Sequence, residues 1–277
     1  MITVNGLTLQ TKKFPDGTPL FKLDIRKEDY YMIDWFYDSE EELVNLIYLV
    51  KHLREHNANI IDLYMPYIPN ARMDRVKSQN EVFTLKYFAE VINSLCFNKV
   101  FVLDPHSNVS AALIDNIYVI QPTMFIERAL SRINSDNTVI VYPDEGSVKR
   151  YSELIHKPYV FGVKKRNWET GVIESLDILG GQNLADATVL ICDDICSRGG
   201  TFLYTAKTLK DKGVNDIFLY ITHCENTIFD GELINSGLLS GIFTTNSILR
   251  KNHSLITRFD CKVLSYEEDL ESNILLR

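Results

Sequence analysis

The chain has 277 residues, of which 45% are apolar and 24% charged, and its formal net charge at pH 7 is −8. This length suits two α/β domains, and the composition is that of a packed globular protein rather than a disordered chain. The acidic balance excludes a broad nucleic-acid footprint, because that needs a concentrated basic surface.

The cysteines and the N-terminus indicate the compartment. Five cysteines without Cys-x-x-Cys spacing argue against a zinc site or a disulfide framework and favour reduced thiols in the cytoplasm. The first ten residues lack a basic segment followed by an apolar one, and no run reaches the roughly 18 apolar residues of a membrane span. We therefore expect a soluble cytoplasmic protein that binds neither membrane nor nucleic acid.

The first half of the chain alternates helices and strands. SEEELVNLIYLVKHLREH predicts a helix that begins with a capping box of Ser39 and Glu42. NIIDLYMPY predicts a strand, EVFTLKYFAEVINSL a helix with one apolar face, and KVFVLD another strand.

The second half repeats this alternation. TVIVYPD, YVFGVKK, ATVLICDD, DIFLYITH and GIFTTN predict strands, with helices from about Ser147 and from about Gly200 to Lys212, the latter closed by Gly213. Continuous apolar strands alternating with helices indicate parallel sheets covered on both faces. The predicted fold class is α/β, with two domains, 1–122 and 123–277, that meet where QPT interrupts the pattern.

Several predicted strands end in polar or glycine-bearing turns. Open α/β sheets bind ligands at the carboxyl ends of their strands, so these turns can converge although they are distant in sequence. The turns are Asp104 to His106, Asp144 to Arg150, Lys164 to Arg166, Asp193 to Thr201, and the end at His223.

DDICSRGGTF combines two carboxylates with a glycine turn that enters a helix. The glycines let backbone N–H groups approach an anion, and the helix N-terminus favours phosphate. Asp193 and Asp194 suit sugar hydroxyls or a bridging Mg²⁺, so a phosphorylated pentose satisfies both halves of the loop. From these residues alone, an acidic strand end with Ser197 as an N-cap remains the alternative.

Three other segments have both a ligand-binding and a structural interpretation. Lys149 and Arg150 in YPDEGSVKR, placed in a first helical turn, oppose the helix dipole unless an anion lies between them. The two-residue period of a strand predicts that the side chains of Lys164 and Arg166 lie on the same face. A solvated charged surface is the alternative for these basic residues, and backbone hydrogen bonds could satisfy His106.

Taken together, the segments resemble the ribose-phosphate pyrophosphokinase family, the synthetases of phosphoribosyl pyrophosphate (PRPP), built from two phosphoribosyltransferase-type domains. The resemblance follows the chain in one order over most of its length. The matching segments are KFPDG, PYIPNARMDR, VLDPHSNVS, YPDEGSVKR, GVKKRNW, VLICDDICSRGGT, YITHC and FTTN.

This resemblance implies transfer of the β,γ-diphosphate of Mg-ATP to the anomeric hydroxyl of ribose 5-phosphate, with release of AMP. It also implies a homo-oligomer, because the ATP-site segments of relatives meet across a subunit interface. The implied roles are sugar binding for Asp193 and Asp194, 5-phosphate binding for Ser197, Arg198, Gly199, Gly200 and Thr201, catalysis for Lys164, Arg166 and His106, magnesium binding for His106 and Asp144, and ATP binding for Phe14, Asp16, Arg72, Asp74 and His106.

The sequence departs from the family pattern in three places. The strand and helix that usually precede KFPDG are nearly absent, and Met73 replaces an amide in Ala71-Arg72-Met73-Asp74. In the phosphate loop, Ser197 and Arg198 stand where the family commonly has Asp-Thr or Asp-Gly. This change leaves two acceptors open, ribose 5-phosphate or a ribose extended at its 5 position, such as ADP-ribose.

Two other classes of protein remain as alternatives. A transferase that consumes PRPP also uses an Asp-Asp loop, but it needs no second domain with NARMDR and LDPHSNVS. A non-catalytic regulatory relative could lose its catalytic groups, whereas this chain retains His106, Asp144, Lys164, Arg166, Asp193 and Asp194.

Overall fold

The computed structural model describes residues 1–22, 28–166, 173–262 and 274–275. For residues 164–166, 173–176 and 274–275 it describes the backbone alone. Within the described ranges, no helix is both long and apolar enough to cross a membrane.

Strands and helices alternate along most of the chain. The strands are β1 (Ile2–Val4), β2 (Leu7–Thr8), β3 (Thr11–Lys13), β4 (Pro19–Phe21), β5 (Tyr30–Trp35), β6 (Ile60–Tyr64), β7 (Lys99–Leu103), β8 (Ile117–Ile120), β9 (Thr138–Tyr142), β10 (Tyr159–Arg166), β11 (Ile173–Leu179), β12 (Thr188–Cys196), β13 (Asp216–Cys224), β14 (Gly241–Thr245), β15 (Ile256–Phe259) and β16 (Ile274–Leu275). The helices are α1 (Glu41–Glu55), α2 (Thr84–Ser94), α3 (Asn108–Leu113), α4 (Thr123–Ile133), α5 (Glu145–Tyr151) and α6 (Gly200–Asp211), and two short 3₁₀ turns cover Asn226–Asp230 and Leu233–Asn235.

The chain forms two compact units, Met1–Gln121 with Cys261–Arg277, and Pro122–Asp260. The sequence analysis placed residues 123–277 in one domain. In the structure, however, strand β16 pairs antiparallel with β8 of the first unit. The hydroxyl of Tyr64 also donates to the carbonyl of Cys261 at 2.6 Å. These contacts explain why the segment after Asp260 belongs with the first unit.

Each unit contains a seven-stranded sheet. The first has the order β16-β8-β7-β6-β5-β1-β2, with β5 to β8 parallel. The second has the order β11-β10-β9-β12-β13-β14-β15, with only β11 antiparallel to its neighbour among the described strands. The predicted α/β fold with mainly parallel sheets is confirmed.

Apolar periodicity explains the packing of the helices on these sheets. The buried residues of α2 are Leu85, Phe88, Ala89 and Ile92, the predicted i, i+3, i+4, i+7 face. In the second unit, α6 buries Phe202, Leu203, Ala206 and Leu209 against β12 and β13. Gly213 has a φ of 81°, so it ends this helix in the left-handed conformation that glycine tolerates, as predicted.

The predicted capping box at α1 is wrong. Glu40, not Ser39, is the N-cap, and no side chain caps the helix. The carboxylate of Glu42 instead accepts from Trp35 Nε1 at 3.0 Å and from the backbone N–H of Asp38 at 2.9 Å. Contacts with the preceding strand therefore replace the local motif.

Candidate active site

The paired aspartates lie at the carboxyl end of β12, a central strand of the second sheet. Ile191 and Cys196 both pack in the second core although they are five residues apart, so the side-chain alternation changes phase between them. Asp193 and Asp194 lie at this break, and both side chains contact α5. A regular strand would have directed them to opposite faces.

Helix α5 binds both carboxylates. The hydroxyl of Ser147 lies 2.8 Å from Oδ1 of Asp193. Arg150 Nη1 lies 3.3 Å from Oδ2 of Asp194, whose side chain is 7% exposed. Asp144 is the N-cap of α5 and accepts from the backbone N–H of Ser147 at 3.2 Å. The segments YPDEGSVKR and DDICSRGGT therefore form one site.

The pKa of Asp193 lies well above its usual range. Burial is the main cause, and the negative charges of Asp194 and Asp144 add to it. The hydrogen bond from Ser147 acts in the opposite direction and favours the ionised form. Proton binding at Asp193 is thus coupled to the other carboxylates and sensitive to its hydroxyl partner.

The predicted position of Lys149 and Arg150 in a first helical turn, beside an anion, is wrong. Helix α5 begins at Glu145, so both basic residues lie in its last turn, where the dipole favours positive charge. Arg150 has a carboxylate partner in Asp194 and also stacks its guanidinium 5.8 Å from the ring centre of Tyr151. No anion is needed to explain these residues.

The glycine turn after β12 leaves the N-terminus of α6 without a side-chain cap. Gly199 is the N-cap, with a φ of 78°, so the alternative that assigned this role to Ser197 is wrong. A Cβ at Gly199 would lie 2.5 Å from Leu233 Cδ2, so both its conformation and its surroundings require glycine. At Gly200, a Cβ would meet nothing within 4 Å. The backbone N–H groups of Gly200 and Thr201 are therefore suited to bind an anion.

Arg198 is one of the two residues at which this loop departs from the family pattern. Its side chain is exposed. Its carbonyl oxygen is packed closely against Gly231, where a Cβ would lie 2.0 Å from it. The backbone of the loop thus packs against Gly231, the residue after the first 3₁₀ turn, while the side chain of Arg198 is exposed to solvent.

Lys164 and Arg166 lie in β10, where the backbone pairs with Leu176 and Ile173 of β11. The pairing shifts register between Lys165 and Arg166. Their side chains lie outside the described part of the structure, so the predicted catalytic roles and their shared direction remain predictions.

A buried polar cluster follows the next two strands. Nδ1 of His223 lies 2.8 Å from the hydroxyl of Ser247, and Ser247 Oγ lies 3.0 Å from Thr245 Oγ1. The Thr245 hydroxyl donates to the carbonyl of Thr222 at 2.7 Å. These bonds hold the ends of β13 and β14 together beside the end of β12.

In the first unit, His106 lies between β7 and α3, as predicted for a strand end. Asp104 has a φ of 43° and is buried, a left-handed conformation that aspartate tolerates better than most residues. The hydroxyl of Ser107, the next residue after His106, is buried and has no hydrogen-bond partner. The turn is therefore tightly built and carries polar groups that a ligand could satisfy.

The predicted ATP-site residues Phe14 and Asp16 form the tip of the β3–β4 hairpin. Oδ1 of Asp16 accepts from the backbone N–H of Thr18 at 3.0 Å and from its hydroxyl at 2.7 Å. These bonds lower the pKa of Asp16, the side-chain bond being the larger cause. Phe14 is 47% exposed. A rigid turn therefore presents an aromatic ring to solvent.

Arg72 and Asp74 follow β6 in an irregular segment. Arg72 is exposed, and Asp74 lies 3.7 Å from the guanidinium of Arg75. Thus Phe14, Asp16, Arg72, Asp74 and His106 belong to the first unit, and Asp144, Asp193, Asp194 and the turn from Ser197 to Thr201 belong to the second. Within the second unit, the structure brings the three aspartates together.

The sequence analysis assigned no role to Ser147 or Ser247. Ser147 could have been found, because a serine three residues after an N-cap aspartate is a common local motif. Ser247 gave no such signal, since its contact with His223 joins residues 24 positions apart. Within the described ranges, no three His, Cys, Asp or Glu side chains form a metal site.

Comparison with known proteins agrees with this architecture. Residues 2–95 match the N-terminal domain of ribose phosphate pyrophosphokinase, and residues 115–226 match a phosphoribosyl transferase domain. The ribose-phosphate pyrophosphokinase of Bacillus subtilis (strain 168) is 28% identical over 256 residues, which span 89% of this chain and 79% of the relative. That of Mycoplasma genitalium is 26% identical over 272 residues, 92% of this chain and 80% of the relative.

A crystal structure of phosphoribosylpyrophosphate synthetase from Mycobacterium smegmatis shares the fold. Its TM-score is 0.76 at 17% identity, with 93% of this chain and 88% of that chain covered. Two mainly parallel α/β units, the second with an Asp-Asp strand end and a glycine turn, define a protein of the phosphoribosyltransferase-type fold. The chain belongs to the ribose-phosphate pyrophosphokinase family and is accordingly a diphosphotransferase.

Proposed function

We propose that this protein transfers the β,γ-diphosphate of ATP to the anomeric hydroxyl of ribose 5-phosphate, yielding PRPP and AMP. The observation that carries the proposal is the second-unit site, where paired carboxylates on β12 lead directly into the uncapped N-terminus of α6. The relatives named ribose-phosphate pyrophosphokinase support the same reaction.

In this proposal, each part of the loop binds a different part of the sugar phosphate. Asp193 and Asp194 accept hydrogen bonds from the ribose hydroxyls, since adjacent acceptors suit a vicinal diol. The N–H groups at Gly200 and Thr201 and the dipole of α6 bind the 5-phosphate. Ser147 and Arg150 hold the carboxylates in place, because each has a direct bond to one of them.

Transfer of a diphosphate depends on positioning and charge stabilisation more than on covalent catalysis. We assign charge stabilisation to Lys164 and Arg166 and binding of the ATP phosphates to His106. Phe14 and Asp16, with Arg72 and Asp74, contact ATP in the assembled protein, which we propose to be a homo-oligomer.

Magnesium, when bound with ATP, neutralises phosphate charge. Asp144 fits this ion, because its carboxylate belongs to an acidic group and Mg²⁺ prefers oxygen ligands. His106 offers nitrogen and fits a phosphate contact better. The described part of the chain has no three-residue metal cluster, which is consistent with an ion bound through one or two carboxylates and substrate phosphates.

ADP-ribose is the second candidate acceptor and depends on one observation, the exposed side chain of Arg198 beside the phosphate turn. The similar proteins give it no support, since those reported above are named for ribose phosphate or PRPP. Ribose 5-phosphate is therefore the preferred acceptor.

The test is AMP formation from Mg-ATP with each acceptor, measured by chromatography, together with assay of the PRPP formed. We expect AMP and PRPP in equal amounts with ribose 5-phosphate and little AMP with ADP-ribose. Arg198→Ala should leave the first reaction largely intact, with Lys207→Ala on α6 as a matched surface control. Tight nucleotide binding without AMP would favour the regulatory relative, and PRPP consumption without AMP a transferase.

A further inference from the structure

Two cysteines lie side by side at the ends of neighbouring strands. Cys196 is the last residue of β12, Cys224 is the last of β13, and the two are register partners. Both pack in the second core, so their side chains leave the sheet on the same face. Neighbouring strands lie about 4.8 Å apart. This separation falls within the range of roughly 4.4–6.8 Å between the α-carbons of a disulfide.

The two thiols also interact with each other and with the strand ends. A hydrogen bond with Cys224 and burial raise the pKa of Cys196 well above its usual range. Cys196 Sγ lies 3.4 Å from the carbonyl of Ser197, and Cys224 Sγ lies 3.8 Å from that of Glu225. The thiol of Cys196 is therefore held in its protonated form, and because both cysteines are buried, an oxidant reaches them only when the strand ends open.

The location of this pair ties it to the sugar-phosphate loop. Cys196 directly precedes Ser197, and the backbone N–H of Glu225 donates to the carbonyl of Cys196 at 2.8 Å. His223, one residue before Cys224, is anchored to Ser247. Because β13 is fixed in this way, movement of the pair is transmitted mainly to β12 and the turn that follows it.

We propose that Cys196 and Cys224 are a modification site that forms a reversible disulfide under peroxide. Side chains that leave two strands in parallel keep their β-carbons about as far apart as the strands. A relaxed disulfide needs roughly 3.5–4.5 Å between β-carbons. Closure therefore draws the strand ends together and displaces the turn from Ser197 to Thr201.

The reaction balances with hydrogen peroxide as the oxidant. One thiolate attacks a peroxide oxygen and breaks the O–O bond, which gives a sulfenic acid and, after proton uptake, one water. The second thiolate attacks the sulfenic sulfur, forms the S–S bond and releases hydroxide, which takes up a proton as the second water. Two thiols thus lose two electrons and two protons, and one peroxide becomes two waters. A dithiol reverses the bond by exchange.

The first experiment maps the bond and is independent of the proposed activity. The reduced full-length protein is treated with hydrogen peroxide, alkylated, digested without reductant and analysed by mass spectrometry. We expect a Cys196–Cys224 peptide that has lost two hydrogens and is restored by dithiothreitol. Sulfinic or sulfonic acid on either residue without this cross-link would overturn the proposal, as would a predominant pairing with another cysteine.

Variants identify the two sulfurs. Cys196→Ala and Cys224→Ala should each abolish the cross-link. Cys192→Ala is the matched control, because Cys192 is buried in the same strand and contacts Leu190 instead. Should an alanine variant fail to fold, the wild-type mapping still decides the question. A disulfide of equal yield in a folded Cys196→Ala protein, formed by Cys224 with another cysteine, would refute the assignment.

The second experiment measures the effect on the loop and rests on the proposed function. A displacement of about 1 Å in a positioned site can slow turnover by roughly 10²-fold. We expect a loss of about that size in AMP formation from ATP and ribose 5-phosphate, recovered with dithiothreitol and absent in Cys224→Ala. Full activity of the cross-linked protein would refute the effect on the loop. An inactive reduced protein would instead refute the proposed function and leave the mapping intact.

Discussion

The hydroxyl of Ser147 lies 2.8 Å from Oδ1 of Asp193, at the carboxyl end of the central strand of the second sheet. This bond favours the ionised form of a carboxylate that burial and two neighbouring aspartates hold with a raised pKa. The Ser147 hydroxyl thus opposes the effects that favour the protonated form of a proposed sugar-binding group.

Ser147→Ala removes this bond and raises the pKa of Asp193 further. If the ionised form binds the sugar, the acidic limb of the pH profile of kcat/KM moves to higher pH. The displacement corresponds to about 1.5–3 kcal/mol, the usual worth of a hydrogen bond to a charged group. Steady-state kinetics across pH measure it, with Ser152→Ala at the end of α5 as control. An unmoved limb would show that the bond is structural only.

Asp193→Asn removes a partly buried carboxylate whose folded-state pKa is raised. A raised pKa means that the native protein binds more protons than the unfolded chain, so stability is lost as pH rises through the folded-state value. The variant should therefore be more stable than the parent at neutral pH, and the difference should shrink toward acid. Thermal unfolding across pH measures this, and activity should fall in the same variant. Equal stability at all pH values would contradict the raised pKa.

Arg150→Met leaves the buried carboxylate of Asp194 without its guanidinium partner. We expect a loss of about 1.5–3 kcal/mol in the free energy of unfolding. Lys149→Met, one residue away and exposed, is the matched control and should change stability by less than about 0.5 kcal/mol. In the double variant Arg150→Met with Asp194→Asn, part of the loss should return. Additive losses from urea unfolding would mean that the two side chains are not coupled.

Gly199→Ala forces an alanine into a left-handed conformation and places its Cβ 2.5 Å from Leu233. The conformation alone costs about 1–2 kcal/mol, and the overlap about 1–3 kcal/mol more. Gly237→Ala isolates the first contribution, because Gly237 has a φ of 70° and nothing within 4 Å of its Cβ position. Denaturant unfolding compares the two variants. Equal losses would show that Leu233 moves aside freely.

Phe14→Ala tests the proposed ATP contact at the hairpin tip. Because Phe14 is 47% exposed, its removal should leave the unfolding temperature unchanged. Stacking of a nucleotide base on an aromatic ring is worth about 1–3 kcal/mol, so the Kd for ATP should rise by roughly 5- to 150-fold. Calorimetric titration of the assembled protein measures it, with the more exposed Leu7→Ala as control. Unchanged affinity would remove Phe14 from the site.

The sequence predicted the elements well where an apolar pattern repeats over several turns. The buried face of α2 and the apolar strands β7, β9 and β12 follow directly from such patterns. The prediction was weaker at helix starts. The two-residue difference between Ser147 and Glu145 as the start of α5 reversed the interpretation of Arg150, because it moved the charge from one end of the dipole to the other.

The site was predictable in composition but not in its contacts. The Asp-Asp strand end and the glycine turn are formed by contiguous residues, so the sequence alone was enough to predict them. The bond from Ser147 joins residues 46 positions apart, and the break in alternation that turns both aspartates toward α5 has no local sign. Such contacts depend on which strands become neighbours, and β9 and β12 pair across two intervening strands of the chain.

The pairing of β16 with β8 also determines which of the two sheets is completed by the later part of the chain. The edge strand β16 of the first sheet is the last described strand in the chain, whereas the strands of the second sheet lie wholly between Pro122 and Asp260. Every strand of the second sheet therefore precedes the outermost strand of the first in chain order, so the first sheet is completed by the later segment.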